Sequence, residues 1–417
     1  VSLAERTISP AGVLHQQRPT KIASGEAGSG GVAFERRIFR VEEIRVAVWL
    51  AAVTAIPAGL VAGLAMFPIR RHARRLGLLD RPGGHKSHVI PTPLGGGIGI
   101  WLGVVFTIAL GTFSVWLCRD SAELRARLPA LVAMNLDGVW SRAGEIWSIL
   151  AGGTILVGLG LWDDRRGLPW PLRLGVQFLV AGVVVFGLGY GFTVFIPLPW
   201  LTQALSILWI VALINSFNML DNMDGLSGGI AAICAGALAV VMFSTPGTAG
   251  QPQWFVAALL MVLFGALIGF LFHNWTPAKI FMGDGGSYLV GYLIAVATLI
   301  ATYASYESGA PHAVFAPLCA LAVPLYDLTT VLWIRIRAGH SPFRGDQRHF
   351  SHRLVALGLS RKQAVLTIYL VSITCGIAAI LLTRVPIGSA ALVLGIVGCM
   401  LLLIVILEST AWPKENG

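Results

Sequence analysis

The chain has 417 residues, 56% of them hydrophobic and only 12% charged, with a mean hydropathy of +0.76 and a formal net charge of +10. That balance excludes an ordinary soluble domain, and it makes the positive charge a matter of membrane topology, with no nucleic acid expected as a partner. Cys118, Cys234, Cys319, Cys375 and Cys399 include no CxxC pair, and four of the five lie in apolar runs, so neither a zinc site nor a disulfide framework is expected.

Residues 1–45 are polar, carry seven Lys or Arg and show no helical period. They do not read as a cleavable signal, and disorder is expected there. Eleven apolar runs follow, near 46–69, 94–117, 146–161, 174–193, 201–217, 226–244, 254–272, 287–304, 314–334, 364–383 and 389–407. About 20 apolar residues cross the hydrocarbon layer as a helix. The expected fold is therefore all-α, a polytopic bundle of about eleven transmembrane helices over 46–407, ending in a short tail at 408–417.

The loops after the first, third, fifth, seventh and ninth runs hold seventeen Lys or Arg, among them Arg70, Arg71, Arg165, Arg166, Lys279, Arg335 and Arg361. The alternate loops hold five, Arg119, Arg125, Arg127, Arg142 and Arg384. The positive-inside rule puts the richer set in the cytoplasm, the N-terminus outside and the C-terminus inside. The basic tail at 1–45 opposes that orientation, and five agreeing loops outweigh it.

Those same five loops carry most of the Asp, Asn and His. They read DRPGGHKSHVIPTP at 80–93, WDDRRGLPWP at 162–171, NSFNMLDNMDGLSGG at 215–229, HNWTPAKIFMGDGGS at 273–287 and SPFRGDQRHFSHRL at 341–354. A pump or channel tends to set its acids at mid-bilayer depth. Acids gathered at one face instead suit a soluble substrate meeting a lipid one.

Taken singly, each motif has a plainer reading. Asp163 and Asp164 could cap a helix end, and as helical neighbours at most one is expected to point at a reacting centre. Asn218, Asp221, Asn222 and Gly225 follow i, i+3, i+4, i+7 and would form a polar stripe where the fifth run leaves the membrane. Asp284, in a Gly-rich turn before the eighth run, stands where helix N–H groups can face a phosphate. His349 and His352, flanked by Arg348 and Arg353, suit phosphate oxygens. Asp327, inside the ninth run, could simply pair with an Arg of the next loop. Clustered Asp and Asn oxygens without thiols suit Mg²⁺ or Mn²⁺ and disfavour zinc.

Together, in this order, these motifs resemble the polyprenyl-phosphate N-acetylhexosamine-1-phosphate transferases. The resemblance runs from about Asp80 to Leu359 and is carried by Asp80, Pro82, Lys86, His88, Pro91, Pro93, Gly95 and Gly96; by Asp163, Asp164 and Gly167; by Asn215, Asn218, Asp221, Asp224, Gly225 and Leu226; and by the stretch 277–287. It implies Asn218 and Asp284 as Mg²⁺ ligands, with Asp163 and Asp164 as catalytic acids beside the metal and the lipid phosphate. It also implies a substrate-binding set of Lys86, His88, Asn215, Asp221, Asp224, His349, His352 and Arg353. The implied reaction moves an N-acetylhexosamine-1-phosphate, GlcNAc-1-phosphate first among them, from a UDP-sugar to undecaprenyl or another polyprenyl phosphate. UMP is released, and the product initiates cell-envelope polysaccharide. The expected location is a bacterial inner membrane with the site facing the cytoplasm, and a homodimer is left open.

Two departures qualify the match. His85 stands where most members have Arg, and the last motif reads His349, Phe350, Ser351, His352 where the family usually has His-x-His-His. The second departure favours the branch using simple UDP-N-acetylhexosamines. It also implies that Ser351 makes no indispensable contact and that Ser351→His is tolerated. The competing class is a transporter of a nucleotide sugar or lipid-linked sugar, which catalysis in detergent would exclude.

Overall fold

The computed structural model describes residues 28–80, 91–128, 130–192, 196–247, 252–303, 311–342 and 348–410. The chain forms two units, Val1–Arg45 and Val46–Gly417, and the helical core belongs to the second. In chain order the elements are α1 (Gly28–His72), a two-residue hairpin ladder of β1 (Leu79–Asp80) and β2 (Thr92–Pro93), α2 (Gly96–Arg119), α3 (Ala122–Ala126), α4 (Ala130–Ser141) and α5 (Ala143–Arg166). Next come α6 (Trp170–Gly182), α7 (Pro199–Leu220), α8 (Leu226–Ser244), α9 (Trp254–Asn274) and α10 (Gly283–Ile300). The chain ends with α11 (Ala316–Ala320), α12 (Ala322–Arg337), α13 (Phe350–Ala356), α14 (Arg361–Leu382) and α15 (Ile387–Thr410).

Helices dominate because apolar segments in lipid must satisfy every backbone group internally. Among the described residues ten helices are long and apolar enough to cross a membrane, and eleven if α12 and the segment Pro311–Ala320 count as one broken span bent by 67°. The protein is thus a multi-pass membrane protein. The run expected at 314–334 is this broken span, interrupted at Leu321. Helix ends follow local chemistry. Gly167, at φ 66°, stops α5 with its N–H on the Asp163 carbonyl, and Ser360 and Gln363 form a reciprocal capping box on α14.

The bundle is organised around α10, which packs against α5, α7 and α2. Its backbone is approached so closely by α5 that a Cβ on Gly160 would lie 2.1 Å from Gly285 N. Only glycine permits that crossing, and it brings the C-terminal end of α5 to the N-terminal end of α10.

Candidate active site

The α5 end carries Asp163 and Asp164, and the fold separates their duties. Asp163 is 7% exposed. Its Oδ1 accepts from Leu168 N at 2.6 Å, and its Oδ2 accepts from Arg173 Nη1 at 2.8 Å and from the Tyr288 hydroxyl at 3.2 Å. Both oxygens are therefore occupied by α5's own exit loop, by α6 and by α10. Asp164 Oδ1 accepts from Asp284 N at 3.1 Å, whereas Oδ2 is buried and has no hydrogen-bond partner. A buried carboxylate oxygen left bare is costly, which marks this atom as awaiting a ligand. Gly283 (φ 71°) makes room for it, since a Cβ there would stand 2.6 Å from Asp164 Oδ2.

Asn218, in the last turn of α7, donates from Nδ2 to Asp284 Oδ1 at 2.6 Å and to Ser287 Oγ at 3.1 Å. Three helix ends thus meet on Asp284. The polar stripe expected to continue from Asn218 through Gly225 is broken, because α7 stops at Leu220 and Gly225, at φ 77°, opens α8. Asp221 and Asn222 lie in the turn between, where the Asn222 amide donates to the Met219 carbonyl at 2.8 Å. Burial, then the charges of Asp164 and Asp224, push the Asp221 carboxyl up to about 7 despite a hydrogen bond from Gly283 N–H.

The same turn is laced to the 274–282 loop. Asp224 Oδ2 accepts from Ala278 N at 3.0 Å, Asn274 Oδ1 accepts from Gly225 N at 2.9 Å, and Asn274 Nδ2 donates to the Ile280 carbonyl at 2.9 Å. That loop in turn holds the β2 end: Phe281 N donates to Pro93 O at 2.8 Å, and Gly96 N to Phe281 O at 2.9 Å. The charge of Asp80, at the other end of the hairpin ladder, bears on Asp164. Lys86, His88 and His85 lie outside the described residues.

Asn215, one turn before Asn218, donates to Gln177 Oε1 at 2.7 Å and to its own helix at Val211 O at 2.8 Å, so it joins α7 to α6. The last motif joins the cluster through Ser351, whose Oγ donates to Asn222 Oδ1 at 2.6 Å and which is 1% exposed. Ser351 therefore makes a buried contact, and an imidazole in its place would have to displace that bond. His349 Nδ1 stands 2.9 Å from Asp327 Oδ2, and Asp327 Oδ1 accepts from Phe350 N at 2.7 Å. Asp327 therefore serves this loop's histidine and backbone and has no need of an Arg partner. The His352 ring lies 6.2 Å from that of His349. Arg353 turns to Arg348 O, Thr330 and Glu408.

Hydrogen bonds thus gather the described parts of all five polar loops at one end of the bundle. Asp163, Asp164, Asp221, Asp224 and Asp284 form its acidic floor, with the Asn218 amide donating into it. Sequence reasoning passed over Arg173, Tyr288 and Asn274, which hold that floor. Arg173 had a visible signal, being a basic residue ten positions after Asp163, whereas Tyr288 and Asn274 had none. Among the described residues no three His, Cys, Asp or Glu converge as a metal-binding group. The donors present are oxygens, one of them bare, and this fits a cation such as Mg²⁺ that takes one or two protein carboxylates and fills its shell with water and phosphate oxygens.

The chain has relatives among known proteins. Residues 146–302 match the family model described as glycosyl transferase family 4. The chain is 34% identical to the decaprenyl-phosphate N-acetylglucosaminephosphotransferase of Mycobacterium tuberculosis over 82% of its own length and 85% of that protein. It is 29% identical to the undecaprenyl-phosphate alpha-N-acetylglucosaminyl 1-phosphate transferase of Escherichia coli K12, over 75% of this chain and 78% of that protein.

Proposed function

Because the chain belongs to the polyprenyl-phosphate N-acetylhexosamine-1-phosphate transferases and is a glycosyl-1-phosphate transferase, we propose that it joins GlcNAc-1-phosphate from UDP-GlcNAc to a polyprenyl phosphate, releasing UMP. The observation that carries the reading is the bare, buried Asp164 Oδ2 at the meeting point of α5, α7 and α10. In this reading the bundle sits in a bacterial inner membrane. The five polar loops and the acidic floor face the cytoplasm, the N-terminus is outside and the C-terminus inside.

The lipid phosphate, with a second pKa of about 6, is already an anion at neutral pH. The difficulty is bringing it against another pyrophosphate. One of its oxygens forms the new bond to the β-phosphorus of the nucleotide sugar, the bond from that phosphorus to the bridging oxygen breaks, and the electron pair leaves with UMP. Mg²⁺, or Mn²⁺ in its place, held by Asn218, Asp284 and the bare oxygen of Asp164, would supply positive charge for the phosphate oxygens. Asp163, spent on Leu168 N–H, Arg173 and Tyr288, fixes the α5 end, which supports direct attack over an aspartyl-phosphate at that residue. Asp221 and Asp224 pin the turn that receives the nucleotide sugar. Lys86, His88, His349 and His352 supply donors to the phosphates.

The test is to incubate purified protein in detergent with polyprenyl phosphate, Mg²⁺ and a panel of UDP-sugars, and to measure UMP. Release with UDP-GlcNAc, abolished by EDTA and restored by Mg²⁺, is expected. No release from any UDP-sugar would defeat the reading in favour of a transporter, which needs two compartments to act.

A further inference from the structure

The last helix contributes an acid that the site described so far does not use. α15 is mostly lipid-facing, with Leu402, Leu403 and Ile406 all more than half exposed on the bare protein, yet Glu408 in its final turns is 5% exposed. A carboxylate at the end of such a helix needs no protein partner to stay solvated, and burying it carries a desolvation cost. Glu408 Oε2 accepts from the Tyr326 hydroxyl at 2.7 Å and stands 3.0 Å from Arg353 Nη2. Arg353 spends its other contacts on Thr330 Oγ1 at 3.0 Å and on the backbone carbonyl of Arg348 at 2.7 Å.

That carbonyl belongs to the peptide immediately before His349. The loop is therefore gripped from both sides. Asp327 holds the His349 ring and the Phe350 N–H, and Arg353 holds the preceding peptide. Phe350 packs edge-on against Tyr326 at 5.4 Å, so the residue after His349 touches the same residue that donates to Glu408. Without Glu408 the buried guanidinium would lose its one acidic partner among the described residues.

We propose that Glu408 is a positioning residue. Through Arg353 it fixes the Arg348–His349 peptide, and so the backbone on which His349 and His352 are presented to the substrate phosphates. This rests on the proposed reading of those histidines, and it reassigns Arg353 from phosphate binding to bracing.

The test compares Glu408→Leu, Glu408→Leu with Arg353→Met, and each of these in a His349→Ala background, all in the full-length protein. Measured are UMP-release kinetics, melting temperature and hydrogen exchange of the 348–354 amides. Glu408→Leu should lower kcat/KM about thirtyfold and speed exchange at 348–354 about tenfold. Removing both charges should restore the melting temperature, since no unpaired buried ion remains, while turnover and protection stay low. In the His349→Ala background the Glu408→Leu loss should shrink to about threefold or less, because both changes act on one element. Recovery of turnover along with melting temperature in the double variant, or an undiminished loss in the His349→Ala background, would reduce Glu408 to a stability role and overturn the proposal. If the parent releases no UMP from any donor, the functional reading fails separately. Exchange then decides the brace: unchanged protection in Glu408→Leu overturns it, and faster exchange upholds it.

Discussion

α10 and α15 are both spans, and they are opposites. α10 has the lowest mean hydropathy of the ten and is 89% buried over its most apolar stretch; α15 has the highest and is 17% buried. A soluble protein would order them the other way. In lipid the solvent is itself apolar, so hydropathy gives helices no reason to associate, and close packing and polar contacts decide which helix is central. α10 can carry glycines, Ser287, Tyr288 and Tyr292 because it is enclosed, with Tyr288 on Asp163 and Tyr292 on the Ile149 carbonyl. α15 presents leucines to the bilayer and turns a single acid inward.

If the enclosed end of α10 is where the chemistry sits, Asp164→Asn should give the largest effect, about a thousandfold fall in UMP release at saturating Mg²⁺. Asp284→Asn and Asn218→Ala should chiefly raise the Mg²⁺ needed for half-activation. Near-normal turnover in all three would break the contrast between the helices. Packing should differ almost as sharply. Leu293→Ala, at a fully buried position of α10, should cost about 2–5 kcal/mol in detergent unfolding.

Ser351→His should lose about tenfold in kcat/KM, because the ring must displace the bond to Asn222 and a buried side chain. Ser351→Ala should lose about threefold or less. Full activity of the His variant would uphold the sequence expectation.

Asp221 gives a smaller, pH-dependent effect. An acid raised from 3.8 to about 7 favours the folded state in its protonated form. Its stabilisation is complete below the unfolded value and is lost as pH rises through the folded one. The melting temperature of metal-free, substrate-free protein should therefore fall between about pH 4 and 7, and less steeply in Asp221→Asn. Equal slopes in the two proteins would show that Asp221 is not the group responsible. At the lipid-facing extreme, Leu402→Ala on α15 should change unfolding by less than about 0.5 kcal/mol and leave turnover at the parent level.

Much of this protein was readable from its residues alone. Apolar runs of the right length located each span found among the described residues, because a helix in lipid is dictated locally by the need to satisfy its own backbone. Five oxygen-rich loops named residues that the fold gathers into one candidate site, and their order named the family. What each polar residue does was decided by contacts between positions far apart in the chain. Asp163 and Asp164 are adjacent and chemically identical, yet one is consumed by Arg173 and Tyr288 while the other keeps a bare oxygen, because the Gly160 and Gly283 crossing sets α5 against α10 at one register. Arg353 sits beside two histidines as a phosphate ligand would, but packing brings Glu408 to its guanidinium. The stripe from Asn218 to Gly225 obeys a helical period that the helix does not complete, since Gly225 takes a left-handed conformation that opens the next one. Periodicity reports the face a residue occupies on its own helix; the partner on that face exists only once the other helices have packed.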